Sequence, residues 1–236
     1  ITDNNTSVEY EYKAASSGIR TQFVAVDPEK TLPEAETYNL TAKYEGGVST
    51  SQEISGGYNA GTPLSAVYTG PAVDGEITFS FAHDASLLEF EFKDAGNGGT
   101  ALALTSLELT SVNGEAIADD GATSITVTPS DGASSLYQIV VSKVQLAKGV
   151  LLKATASDGT EYCKVVRQGG ADLYTTDGKG VHRKLTVNLN QKGISNKTDL
   201  LSFKYLVENG LPLTNYQEDT HSSGQPIIAL LDDIDM

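Results

Sequence analysis

The chain has 236 residues, 39% of them hydrophobic, with no Trp, a single Met and a formal net charge of −15. That length carries one large domain or two modest ones, and the apolar residues fall in periodic runs, which argues against disorder. A polyanion of this size is repelled by nucleic acid and by anionic membrane surfaces, so neither is an expected partner.

Cys163 is the only cysteine, so no internal disulfide forms and the fold must stand on its packing. No apolar run reaches the ~20 residues of a membrane span, and no signal-peptide pattern stands at Ile1.

Alternation of apolar and polar residues predicts strands at 7–12, 21–26 and 37–44. A Ser/Thr/Tyr-rich composition persists to about Gly70, with a soft stretch at 55–63, and a domain junction is expected at 69–75. Strands follow at 76–81 and 87–92, where Leu88, Phe90 and Phe92 interleave with Glu89, Glu91 and Lys93. Further strands are expected at 107–112, 124–128, 136–144 and 184–189. Asp74-Gly75, Asp120-Gly121, Asp131-Gly132, Asp158-Gly159, Asp177-Gly178 and Asn113-Gly114 supply residue pairs that tolerate the positive φ of tight turns.

One hairpin can be set in register from the sequence. Residues 150–156 and 160–166 flank Asp158-Gly159, and with those two as the loop Ala154 faces Cys163 and Leu152 faces Val165. Thr155 then pairs with Tyr162 and Lys153 with Lys164 on a polar side, and Cys163 is a small core residue, not a nucleophile. Short strands with little helix between them imply β-sandwiches with antiparallel pairing.

Composition changes again after Asn190. Asn196 is placed to cap a helix whose apolar stripe is Leu200, Phe203, Leu206 and Val207, with Gly210 at the stop. A polar loop through Ser222 and Gly224 leads to a strand at 227–231 and the acidic run Asp232-Asp233-Ile234-Asp235-Met236, which is expected to continue into a further module.

No pattern for catalysis emerges. His83, His182 and His221 lie in separate segments without zinc-binding spacing, and no phosphate loop, dinucleotide fingerprint or nucleophile elbow is present. No enzyme and no cofactor are expected. Asp232, Asp233 and Asp235 could offer carboxylates to Ca²⁺, but they lack the glycine and distal glutamate of a helix-loop-helix site, and a solvated strand end is the preferred reading. The Asn-x-Thr/Ser triplets at Asn4, Asn5, Asn39 and Asn196 are what chance gives in a chain this rich in Thr and Ser.

Three stretches carry a family resemblance. Residues 75–93, GEITFSFAHDASLLEFEFK, resemble the centre of fimbrillin-like proteins, the pilus and surface-adhesin subunits of Bacteroidetes-type bacteria; Phe81, His83, Leu87, Leu88 and Phe90 are the matching parts. Residues 182–189, HRKLTVNL, resemble the strand that closes that family's second domain, with His182 and Arg183 where aromatics are common. Residues 194–210 and 226–236 resemble the opening unit of a repeat module often attached to such proteins.

The resemblance implies an all-β chain of two transthyretin-like antiparallel β-sandwich domains with a short C-terminal helix-plus-strand segment. The expected divisions are an N-terminal β domain at 1–73, which need not be complete, a second sandwich at 74–192, and the opening of a further module at 193–236. It also implies a non-catalytic adhesin or pilus-associated protein, suited to a tip position, exported as an outer-membrane lipoprotein to the cell surface. Its partners would be a host or bacterial surface ligand, protein or glycan, and other pilus subunits by strand addition. Pilus subunits of this type are cut at an early arginine, and Arg20 is the only candidate here; an ordinary surface arginine at a strand start is the preferred reading. The alternative function is a glycan-binding surface protein for polysaccharide capture, which calls for exposed coplanar aromatics in a shallow groove. An enzyme would need a cleft of converging carboxylates.

Overall fold

Period-two alternation is carried through in the computed structural model, which describes residues 29, 36–44, 46–53, 62–73, 77–142, 146, 148–167 and 181–234, and the backbone of 2–3, 6–7, 10–13 and 22–25. The strands in chain order begin with β1 (Thr2–Asp3), β2 (Thr6–Ser7), β3 (Tyr10–Lys13), β4 (Gln22–Ala25), β5 (Tyr38–Tyr44) and β6 (Ser51–Glu53). Next come β7 (Leu64–Gly70), β8 (Ala82–His83), β9 (Ala85–Asp94), β10 (Thr100–Ala101), β11 (Leu104–Ser111) and β12 (Ser124–Thr128). The remainder are β13 (Leu136–Ser142), β14 (Val150–Ala156), β15 (Glu161–Val166), β16 (His182–Leu189), helix α1 (Lys197–Glu208), β17 (Gln217–Thr220) and β18 (Pro226–Ile228). The chain is thus mostly β with one α-helix among the described residues, and that helix is too short to cross a membrane.

The chain divides into two units. One comprises Ile1–Gly46 and Pro63–Asp84, the other Gly47–Thr62 and Ala85–Met236. β6 falls in the second of these units and β8 in the first. In the first unit a sheet runs β2-β1-β5-β7-β8, and β3 and β4 form a separate two-stranded antiparallel pair. Antiparallel pairing of Leu40 with Tyr68 and of Ala42 with Ala66 turns Leu40, Ala42 and Ala66 inward, while Val67 on the other face is 75% exposed.

The second unit is a sandwich. In one sheet β9 pairs antiparallel with β13 and β10 and parallel with β16; the other sheet runs β15-β14-β11-β12-β6. Leu88, Phe90 and Phe92 of β9 are wholly buried against Leu107, Leu109, Ile125, Val127 and Leu152 of the facing sheet. Each such side chain contributes about 1.5–3 kcal/mol by leaving water. Tyr137 lies edge-on to Phe92 at 5.7 Å and donates its hydroxyl to the carbonyl of Leu104 at 2.7 Å, so one ring links the two sheets.

The expectation of antiparallel pairing fails at two edges: β16 lies parallel to β9, and β6 parallel to β12. Parallel neighbours require long crossovers, which tight-turn chemistry does not announce. At the β6 edge the buried Gln52 amide donates Nε2 to the carbonyl of Val140 at 2.8 Å and accepts from its N–H at 3.0 Å. A side chain here takes the place of a strand neighbour for β13.

The 150–166 hairpin is shifted by one residue from the sequence reading. Its loop is Ser157, Asp158 and Gly159, with Ala156 N–H to the Thr160 carbonyl at 2.8 Å and Gly159 at φ 85. That is a three-residue turn with glycine in the left-handed position, and Asp158 Oδ1 accepts from Thr160 N–H at 2.8 Å. Cys163 therefore pairs with Lys153, Tyr162 with Ala154, Lys164 with Leu152 and Val165 with Leu151. Both faces of the hairpin are buried: Leu152, Ala154 and Tyr162 in the sandwich core, Leu151, Cys163 and Val165 beneath α1. Strand formation at 76–81 is also displaced, since β8 begins at Ala82 and residues 77–81 are outside any strand.

Asn196 caps α1 as expected, its Oδ1 accepting from Asp199 N–H at 2.9 Å, and Gly210 closes it at φ 63. Leu206 is fully buried and Leu200 and Phe203 pack beside it, but Val207 is 52% exposed and lies off the stripe. Its apolar side packs on Leu151 of β14 and on Cys163 and Val165 of β15.

Substituting Gln52 by Ala leaves the Val140 backbone pair without its partner. A stability loss of about 1–3 kcal/mol is expected, read as a lower midpoint in urea unfolding.

Candidate functional site

Two polar constellations stand out in the second unit. The first is buried under the start of α1. By alternation Lys164 shares the inner side of β15 with Tyr162 and Val166, yet its side chain ends among polar groups. Its Nζ lies 3.1 Å from Asp199 Oδ1 and donates to Gln191 Oε1 at 2.6 Å and to the Asn188 carbonyl at 3.1 Å. Asp199 Oδ2 accepts from Gln191 Nε2 at 2.9 Å, Ser195 Oγ at 2.8 Å and Asn196 Nδ2 at 2.8 Å. Asn215, wholly buried, donates Nδ2 to Gln191 Oε1 at 3.2 Å.

Every proton of the Lys164 ammonium has an acceptor. Burial still lowers its pKa from the ordinary lysine value, with Asp199 opposing that shift. Removing one partner of a buried pair like this costs about 3–5 kcal/mol, because the other charge stays buried. Ser202 of α1 accepts the N–H of Val165 at 2.9 Å, and the neighbouring Tyr216 hydroxyl is pushed up by burial.

The second constellation lies on the outer face of the sheet containing β9. β16 runs beside β9 with Leu185 opposite Phe90 and Val187 opposite Phe92. Glu89 is the hub: Gln138 Nε2 donates to it at 2.9 Å, and His182 Nε2 and Lys184 Nζ each lie 3.0 Å away. Gln138, then Lys184, hold the Glu89 carboxyl below its ordinary value.

The residues singled out from sequence meet different fates. Arg20, Asn4, Asn5 and Asp235 lie outside the described residues. Asp232 and Asp233 border an open groove of about 590 Å³ with Leu200, Leu230, Leu231 and Ile234. Among the described residues no group of three or more His, Cys, Asp or Glu is placed to hold a metal ion. His83 sits in β8 with its pKa lowered by burial, His182 meets Glu89, and His221 bonds Ser223 Oγ at 2.8 Å. Asn39 is exposed on β5, and Asn196 is engaged in capping.

In the first unit Tyr68 and Phe79 meet at 67° and Phe79 and Phe81 at 43°, so these rings form no coplanar platform. Sequence reading missed the set of Lys164, Gln191 and Asp199. The available signal was a lysine inside the apolar strand 162–166 and an aspartate three residues after a helix cap.

No family model matches the chain, and no curated protein matches it. Among solved structures, a protein of Bacteroides uniformis provisionally assigned to cell adhesion superposes with a TM-score of 0.52 at 16% identity, over 80% of this chain and 82% of that one. The likeness is one of fold. A second protein provisionally assigned to cell adhesion, from Bacteroides ovatus, gives 0.44 at 20% identity over 71% of this chain and 70% of that one. A fimbrial protein of Bacteroides ovatus gives 0.33 at 11% identity, over 76% of this chain and 42% of that one.

Two outcomes follow from the geometry. Glu89 should titrate with a midpoint below 4.5 by carbon-detected NMR, and Gln138→Leu should raise it. Because the folded value is depressed, its contribution to stability is present above 4.5 and is lost as pH falls through the folded value. The Cys163 thiol, pushed up to about 11 by burial, should resist alkylation in the native protein at neutral pH and react only after unfolding.

Proposed function

We propose that this chain is a non-catalytic cell-surface adhesin or pilus-associated protein of the fimbrillin type. The observation that carries the reading is the fold shared with the Bacteroides uniformis protein over four-fifths of both chains. The pairing of the two fimbrillin-like stretches as β9 and β16 supports it, since residues that carry the resemblance form one piece of sheet.

On this reading the domains are transthyretin-like sandwiches, the second of them built on β9. The protein reaches the outer membrane as a lipoprotein and is held at the surface, at or near a pilus tip. Its partners are a surface ligand, protein or glycan, and neighbouring subunits that add a strand. Arg20 is the one candidate for processing, and residues 193–236 open a further module.

Export and attachment test the proposal. In intact cells the protein should be open to externally added antibody, and deletion of its gene should reduce attachment to host or bacterial surfaces; retention inside the cell or unchanged attachment would sink it. Arg20 is tested separately with an arginine-specific protease, which should yield a new N-terminus at Thr21 in the native protein and none in Arg20→Ala.

A further inference from the structure

The adhesin reading makes no use of Lys164, Gln191 and Asp199, although Lys164 and Asp199 are buried charges. Three features of their arrangement are chemical as well as structural. An amine nitrogen stands 2.6 Å from the oxygen of a side-chain amide. One carboxylate touches both reactants, Asp199 Oδ1 at 3.1 Å from Lys164 Nζ and Oδ2 at 2.9 Å from Gln191 Nε2. A fourth group, Asn215 Nδ2, points a donor at the amide oxygen from 3.2 Å.

We propose that Lys164 and Gln191 join in an intramolecular isopeptide bond that the folded protein forms by itself, with Asp199 carrying the protons. The Lys164 ammonium gives a proton to Asp199, and the freed Nζ lone pair attacks Cδ of Gln191. The carbonyl electrons move onto Oε1, where Asn215 Nδ2 donates to the developing charge. Collapse breaks the bond between Cδ and Nε2, and Asp199 delivers protons to the departing nitrogen. One C–N bond forms and one breaks. The Gln191 nitrogen leaves as ammonium with the two protons lysine has lost, and no oxidant or reductant is needed.

Holding amine and amide together removes the entropic cost of their encounter, and burial of Lys164 and Asp199 keeps the proton carrier and the nucleophile out of bulk water. Desolvation, which makes the charged amine less favourable, eases the first proton transfer. Asp199, with three donors around Oδ2 and Lys164 Nζ at Oδ1, is placed to pass protons and not to be the group attacked. The product ties β15 to the turn after β16, a covalent brace in a chain whose lone cysteine permits no internal disulfide.

Mass spectrometry of the intact, folded chain decides the matter. The expected mass is lower than the sequence mass by one ammonia, and digestion should release a linked peptide pair containing Lys164 and Gln191. Cyclisation at Asn113-Gly114 also expels ammonia, so the linked pair is the deciding signal. Wild-type protein that yields separate Lys164 and Gln191 peptides overturns the proposal, and this reading needs no variant. Asp199→Asn should abolish the link in protein that still shows native circular dichroism; a link retained in it overturns the role given to Asp199. Lys164→Arg, which keeps the charge, should likewise carry the full sequence mass.

Discussion

A charged nitrogen taken out of water constrains everything C-terminal to the sandwich. Lys164 projects from a strand whose other inner residues are apolar, and its ammonium is tolerated only because Asn188, Gln191 and Asp199 meet it with three acceptors. Those acceptors come from the end of β16, the turn after it and the first turn of α1. Satisfying one lysine therefore fixes where β16 stops, how the chain turns and where the helix begins. Asp199 serves this arrangement twice, since its backbone N–H is also held by the Asn196 cap.

The same economy governs the sandwich itself. β9 is paired on both sides, and its inner face supplies the rings on which the facing sheet closes. Its outer face carries Glu89, whose partners come from the two flanking strands, Gln138 on β13 and His182 and Lys184 on β16. One strand thus orders a core on one side and a polar surface on the other, as a half-buried sheet requires. Where pairing stops, at the open side of β13, the Gln52 amide supplies the missing donor and acceptor.

What was legible in the sequence was local. The Asn196 cap, the Gly210 stop and the alternation of β9 all act over a few residues, and all three stand in the structure. The turn at Asp158-Gly159 was legible too, but its length was not. Asp-Gly serves two-residue and three-residue loops alike, and the choice moved Cys163 from the sandwich core to the cluster under α1. The parallel pairing of β6 and of β16 was illegible because their partners lie far along the chain. Lys164 was illegible for a related reason: lysine in an alternating strand reads as solvent-facing unless the segment that covers it is known.

The placement of β6 has a kinetic consequence. Ser51 pairs with Thr126, and His182 with Leu87, so two edges of the sandwich wait on residues remote from them in the chain. Such contacts demand that large loops close before any reward is gained, which makes the final closure slow relative to that of the local hairpins. A nascent chain that has completed β15 holds the meander β11-β12 and the hairpin β14-β15 but still lacks β16, and so lacks the cover for one side of β9. Until residue 189 is available, the apolar strand at the centre of the sandwich has an unpaired edge, and the molecule is at its most vulnerable to wrong association.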